Sequence, residues 1–235
     1  MTVIAITGGA RGIGAATARA LARRGARVVI GDIDAAAATA MADELPGAIG
    51  LQLDVTDTAS YRRFLDETGP LDILVANAGV MWVGPFDAEP ETATRRQIAV
   101  NLEGVINGFR LATPAMRQRG SGQVVVVASA ASKLAPAGEA TYAATKHAVY
   151  GYCTAVREEL RGSGVDTGGP AAFSQADRQR FESVMASTFP AEARKCAHFL
   201  RHKSFLVSPS VLASHGIQPL RLVQHAHEFV ITYPY

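Results

Sequence analysis

The chain has 235 residues, 48% of them hydrophobic and 19% charged, which is enough to bury one large core and suits a single α/β domain better than two. Its net charge of +2 comes from Lys and Arg interspersed with acids, without the basic block a nucleic-acid groove needs, so the expected partners are small molecules. Cys153 and Cys196 fit neither a metal spacing nor a disulfide framework, and the densest apolar run, Val124 to Ala131, is too short to span a bilayer. With no charged leader before a long apolar segment, the expectation is a cytoplasmic protein with no membrane partner and no metal.

An apolar run, Val3 to Ile6, enters TGGARGIG at Thr7 to Gly14, which opens an alanine-rich helical pattern running to about Arg24. A strand, a glycine turn and a helix are expected. Gly8, Gly12 and Gly14 remove β-carbons that would hold an anion away from the backbone, and the helix start offers unpaired N–H groups and a positive dipole end. Such a cluster also serves as a plain strand-to-helix turn. What favours a diphosphate seat is Asp32, which ends the second apolar run (Val28, Val29, Ile30). An acid there accepts from both hydroxyls of an adenosine ribose and repels a 2′-phosphate; it would otherwise cap the helix starting near Asp34 or Ala35.

That second helix runs to about Leu45, and a third strand, Gly50 to Leu53, finishes in Asp54 and Val55. Asp54 either reaches an adenine amino group or caps the next helix; position alone does not separate the two. A helix from about Thr58 to Glu67 precedes a fourth strand, Leu71 to Val75, which leads into Asn77, Ala78 and Gly79. Small residues there admit a ribose or form a turn. Trp82, Pro85 and Phe86 follow in a loop at the end where parallel sheets bind ligands. A long helical stretch covers about Glu91 to Arg119, with Asn101 in its middle and Pro114 marking a bend or early boundary. The β-branched run Gln123 to Ala128 is a fully buried fifth strand that brings Ser129 to the same edge as Asn77. This alternation implies a doubly wound parallel sheet with helices on both faces.

Tyr142 and Lys146 stand four apart at the start of a helical pattern reaching about Arg161, so both project from one face. A phenol with a reference pKa of about 10 is a weak acid–base group at neutral pH. A nearby cation favours its ionised form, and Lys146 supplies one. Ser129 would hydrogen-bond the same substrate oxygen from a second side.

Taken together, these motifs resemble the classical short-chain dehydrogenases/reductases. The likeness rests on TGGARGIG, Asp54 with Val55, NAG at Asn77 to Gly79, Asn101, Ser129, and YAATK at Tyr142 to Lys146, in order, from Met1 to about Asp166. It implies a Rossmann fold and a nicotinamide cofactor on Gly8, Arg11, Gly12, Ile13, Gly14, Asp32, Asp54, Val55, Asn77, Ala78 and Gly79. It also implies Tyr142 as proton donor or acceptor, Ser129 as orienting group, Lys146 on the nicotinamide ribose, and Asn101 positioning a relay water. Asp32 favours NAD over NADP, although Arg11 would favour a phosphate. The expected activity interconverts a secondary alcohol and a ketone on a small or medium apolar substrate, for which Trp82 and Tyr150 are candidate contacts. The expected assembly is a homodimer or homotetramer.

After Asp166 the likeness calls for a sixth strand ending in Pro-Gly and a Thr, but the chain reads TGGPAAFSQ, with no β-branched run before Gly169 and Pro170. The central segment near 167–189 is therefore expected to be atypical, with the sixth strand missing or replaced. Register returns at Pro190 to His202 and Phe205 to Gly216, so the Rossmann domain is read as 1–216 with a tail at 217–235. His198 and His202, four apart, and His225 with His227 lack a third metal ligand. The alternative reading is a catalytically impaired dinucleotide-binding or assembly protein of the same fold.

Overall fold

The protein is described by a computed structural model, and the structure describes residues 1–133 and 135–168. Six parallel strands form one sheet: β1 (Val3–Thr7), β2 (Arg27–Asp32), β3 (Ile49–Gln52), β4 (Ile73–Ala76), β5 (Gly122–Val126) and β6 (Val165–Gly168). Their spatial order is β3-β2-β1-β4-β5-β6. The chain moves outward from β1 to β3, then returns to add β4 on the other side of β1. That reversal makes a crevice at the carboxyl ends of β1 and β4, the place where open parallel sheets take ligands.

The helices are α1 (Gly12–Ala22), α2 (Ala35–Asp43), α3 (Thr58–Thr68), α4 (Glu91–Ile98), α5 (Gly104–Arg119) and α6 (Ala140–Glu159). The two faces of the sheet follow from the two-residue period of a strand. Ile4, Ile6, Val28, Ile30 and Val75 point to the side covered by Ala15 and Ala18 of α1 and Met41 of α2. Ala5, Val29, Leu74 and Val124 point to the other side, against Phe64 of α3, Phe109 of α5 and Val149 of α6. Both faces are covered, so the strands read as unbroken apolar runs.

The structure decides four points that the sequence left open or read otherwise. The sixth strand is present: Val165 to Gly168 pairs in parallel with Gly122 to Val125. A short strand at the edge of the described sheet needs only its backbone in register, so the polar Asp166 and Thr167 do not prevent it. The helix after β2 is capped by Asp34, whose carboxylate accepts from Ala37 N–H, and the helix after β3 by Asp57, which accepts from Ala59 N–H. Neither Asp32 nor Asp54 has that role. Pro114 lies inside α5, which continues to Arg119. Finally, α4 and α5 are joined through a π-helical turn, Ala99–Glu103, with Asn101 in it. The segment 169–235, with the predicted helix, last strand, tail and the paired histidines, lies outside the described residues.

Candidate active site

The turn after β1 needs glycine at two positions for space and at a third for backbone conformation. A β-carbon on Gly8, at φ +62°, would lie 2.8 Å from Ala78 Cα, and one on Gly14 would lie 2.3 Å from the Gly8 carbonyl oxygen. Gly12, at φ +55°, would meet no atom within 4 Å. Two glycines close the turn on itself and the third faces open space. The start of α1 has no side-chain cap from Arg11, and Ile13 in its first turn is exposed. A bare, uncapped helix start of this kind suits a diphosphate, so the residues fit a dinucleotide.

The turn is stitched to β4. Asn77 donates from Nδ2 to the carbonyls of Thr7 (3.0 Å) and Gly8 (2.9 Å), and the Thr7 hydroxyl accepts from the N–H groups of Asn77 and Ala78. Thr7 was not legible as a site residue; its signal is only its place ahead of the first glycine. On the other flank, Asp32 accepts from Ala10 N–H (3.2 Å) and Asp34 N–H (3.2 Å) at the end of β2. Arg11 pairs with Asp34. The Ala37 N–H and then this guanidinium hold the Asp34 carboxyl below the usual carboxylate range. Asp54 accepts from the N–H (2.9 Å) and hydroxyl (2.7 Å) of Thr56. The Val55 side chain is buried in the core, and its carbonyl accepts from Asn107.

Asn101, Gly79 and Lys146 converge beyond β4. A β-carbon on Gly79 would lie 3.4 Å from Asn101 Oδ1 and 3.7 Å from Lys146 Nζ. Asn101 is fully buried; its Oδ1 accepts from Val80 N–H (2.8 Å), and its Nδ2 donates to Val80 carbonyl (2.8 Å) and to Thr145 Oγ1 (3.2 Å). Thr145 in turn donates to the Tyr142 carbonyl (2.7 Å). The buried Lys146 ammonium donates to the Val127 carbonyl (3.1 Å) and lies 5.7 Å from the centroid of the Tyr142 ring. Burial lowers its pKa.

Ser129 lies three residues past β5, at the N-cap of a short 3-10 turn, Ala130–Ser132. Its hydroxyl accepts from Ala131 N–H, while Ser132 Oγ accepts from Ser129 N–H. This reciprocal cap fixes the serine. Lys133 reaches across to α6, its Nζ 3.2 Å from the centroid of Tyr150, so that aromatic ring is engaged within the protein. Trp82 lies in the loop between β4 and α4, where its indole packs on the bare Cα of Gly84. Among the described residues, no cluster of His, Cys, Asp or Glu could hold a metal, and no helix is long and apolar enough to cross a membrane.

A family model described as short chain dehydrogenase matches residues 2–201. The chain belongs to that family of oxidoreductases, built on a Rossmann-type nucleotide-binding fold. The match runs past Asp166, where the sequence motifs thin out.

Among its relatives, the chain is similar to a 2,5-dichloro-2,5-cyclohexadiene-1,4-diol dehydrogenase of Sphingobium indicum, at 36% identity over 63% of this chain and 62% of that protein. It is also similar to a solved 3-ketoacyl-(acyl-carrier-protein) reductase of Brucella melitensis complexed with NADH (29% identity, TM-score 0.67, covering 72% of this chain and 74% of that one). A solved alcohol dehydrogenase of Thermococcus sibiricus complexed with 5-hydroxy-NADP is comparable (29% identity, TM-score 0.66, 71% and 74%). The chain spans 29% of the length of one set of curated relatives and 62% of another.

Proposed function

We propose that this protein is an NAD-dependent oxidoreductase that interconverts a secondary alcohol and a ketone on a small or medium apolar substrate. The observation that carries the reading is the buried Lys146 ammonium, fixed by the Val127 carbonyl and lying 5.7 Å from the Tyr142 ring centroid. On this reading Tyr142 takes the proton of an alcohol or returns one to a ketone, with the Lys146 ammonium held beside it. Ser129, whose oxygen accepts from Ala131, keeps its own O–H to orient the substrate oxygen. Asn101, whose amide is spent on Val80 and Thr145, holds the loop after β4 against α6 and is read as positioning the relay water.

Gly8, Gly12, Ile13 and Gly14 would hold the diphosphate, Asp32 the adenosine ribose, Asp54 and Val55 the adenine, and Asn77, Ala78, Gly79 and Lys146 the nicotinamide half. When bound, the nicotinamide supplies the hydride acceptor or donor. NAD is preferred over NADP on this reading, because Asp32 repels a 2′-phosphate and the Arg11 guanidinium is already paired with Asp34. Likeness to a diol dehydrogenase and an alcohol dehydrogenase supports the alcohol side of the reaction. The same reading takes residues 1–216 as one domain that assembles as a homodimer or homotetramer.

The test is oxidation of a panel of secondary alcohols with NAD, followed by the absorbance of NADH, for wild type and Tyr142→Phe. The expected loss in kcat is about 10²- to 10⁴-fold with NADH binding intact. Equal rates would remove Tyr142 from the chemistry, and no NADH formation by wild type across the panel would leave a dinucleotide-binding protein of the same fold.

A further inference from the structure

A second polar linkage runs beside the one made by Asn101. Gln97 and Asn101 are four residues apart, on α4 and the π turn that continues it, and both are buried, at 2% and 0% exposure. Asn101 joins Val80 to Thr145. Gln97 does the same one turn earlier: its Oε1 accepts from Trp82 N–H (3.1 Å), and its Nε2 donates to Glu89 Oε1 (2.5 Å). The other oxygen of Glu89 accepts from the Thr141 hydroxyl (2.6 Å). Thr141 immediately precedes Tyr142.

From this geometry we infer that Glu89 is a positioning residue for Tyr142, seating the first turn of α6 and tying it to the loop that carries Trp82. The inference rests on the reading of Tyr142 as the proton-transfer group. A carboxylate suits the position because it accepts from two donors at once, one on each oxygen, whereas an amide offers a single acceptor oxygen. Its negative charge also lies at the amino end of a 20-residue helix, where the dipole favours an anion. The N-cap residue of α6, Glu139, makes no side-chain cap of its own, so the Thr141–Glu89 bond does the tethering. Removing it frees the turn that carries the phenol, and displacement of a reacting group by about 1 Å costs up to about 10²-fold in rate.

The test reads Tyr142 directly. In full-length protein carrying ring-labelled tyrosine, the Tyr142 NMR signal is assigned by its loss in Tyr142→Phe and compared among Glu89→Ala, Thr141→Val and Thr141→Ser. The expected result is a shifted or split Tyr142 signal in Glu89→Ala and Thr141→Val, the other tyrosines unmoved, and the wild-type signal in Thr141→Ser. In turnover, the first two lower kcat about 10- to 100-fold and leave KM and the NADH dissociation constant unchanged. A Tyr142 signal in Glu89→Ala and Thr141→Val that superimposes on wild type overturns the inference. Thr141→Val, which keeps the Gln97–Glu89 bond, carries the test should Glu89→Ala fail to fold. Wild-type turnover in Tyr142→Phe would instead overturn the catalytic reading, so the two failures are told apart.

Discussion

Lys146 shows at the level of one side chain what the site costs the protein. Its ammonium is 5% exposed, it donates to the neutral Val127 carbonyl, and no ion pair to it is found among the described residues. Desolvation therefore lowers its pKa from 10.5. Between the lowered value and 10.5 the unfolded chain binds a proton that the folded chain does not, so this group makes stability rise with pH across that window. Cys153 acts in the opposite sense, since burial raises its thiol from 9.0 to about 11 and stability falls as pH rises through that interval. The two are separated by difference. In urea unfolding, the free-energy gap between wild type and Lys146→Met is expected to move in favour of wild type as pH rises toward 10.5, then level off. Parallel curves would show that the amine is not desolvated. Burying a cation beside a phenol costs the fold stability, which on the proposed reading is the expense of a reacting site.

Among the elements, the turn between α4 and α5 is the most informative. The periodicity of 91–119 predicts one long helix with Asn101 as an anomaly inside it. That anomaly is real, and the backbone resolves it with a π turn, a form that recurs at functional sites. The amide of Asn101 reaches Val80 and Thr145 from there. Replacing it with Ala would leave the Val80 peptide and the Thr145 hydroxyl short of partners. Asn101→Ala is expected to cost about 3 kcal/mol, seen as a lower urea midpoint with an unchanged slope. A loss below about 0.5 kcal/mol would mean that water replaces the amide.

The partners in these linkages could not be read from the chain. Glu89, Gln97, Thr141 and Thr145 have no motif: they are ordinary loop and helix residues until the fold brings the loop after β4 against the first turns of α6. The capping residues stayed open in the sequence for a related reason. Asp32, Asp34, Asp54 and Asp57 all precede helices, and the choice of cap depends on where each strand ends, a matter of one or two residues.

Across the whole molecule, the two faces of the sheet carry different burdens. The α1–α2 side is packed with small and β-branched residues and Met41, whereas the α3–α5–α6 side holds the aromatic Tyr61, Phe64 and Phe109 with Met116. Tyr61 is fully buried, and its hydroxyl is the one buried side-chain polar atom without a partner among the described residues. Burial alone pushes its phenol pKa up. Gly108 admits that hydroxyl, since a β-carbon there would lie 2.7 Å from it. Tyr61→Phe removes an unpaired dipole and keeps the ring, so it is expected to raise stability by about 1 kcal/mol in urea unfolding. A loss of similar size would reveal a hydrogen bond to the hydroxyl.

Local chemistry determined much of this protein from its sequence. The strand runs, the glycine turn, the acid that ends β2, and the tyrosine–lysine pair each depend on spacing along the chain, and spacing survives without any knowledge of the fold. The sixth strand, by contrast, looked missing because Val165 to Gly168 lacks an apolar run, yet it pairs with β5. Backbone hydrogen bonding to a neighbour already in register does not require a side-chain pattern. Only the tertiary structure could decide that pairing, the division of labour among four aspartates, and the convergence of Asn101, Gly79 and Lys146. The pairing and the convergence join residues far apart in the chain, which meet only once the sheet has formed, whereas the aspartates divide according to where each strand ends.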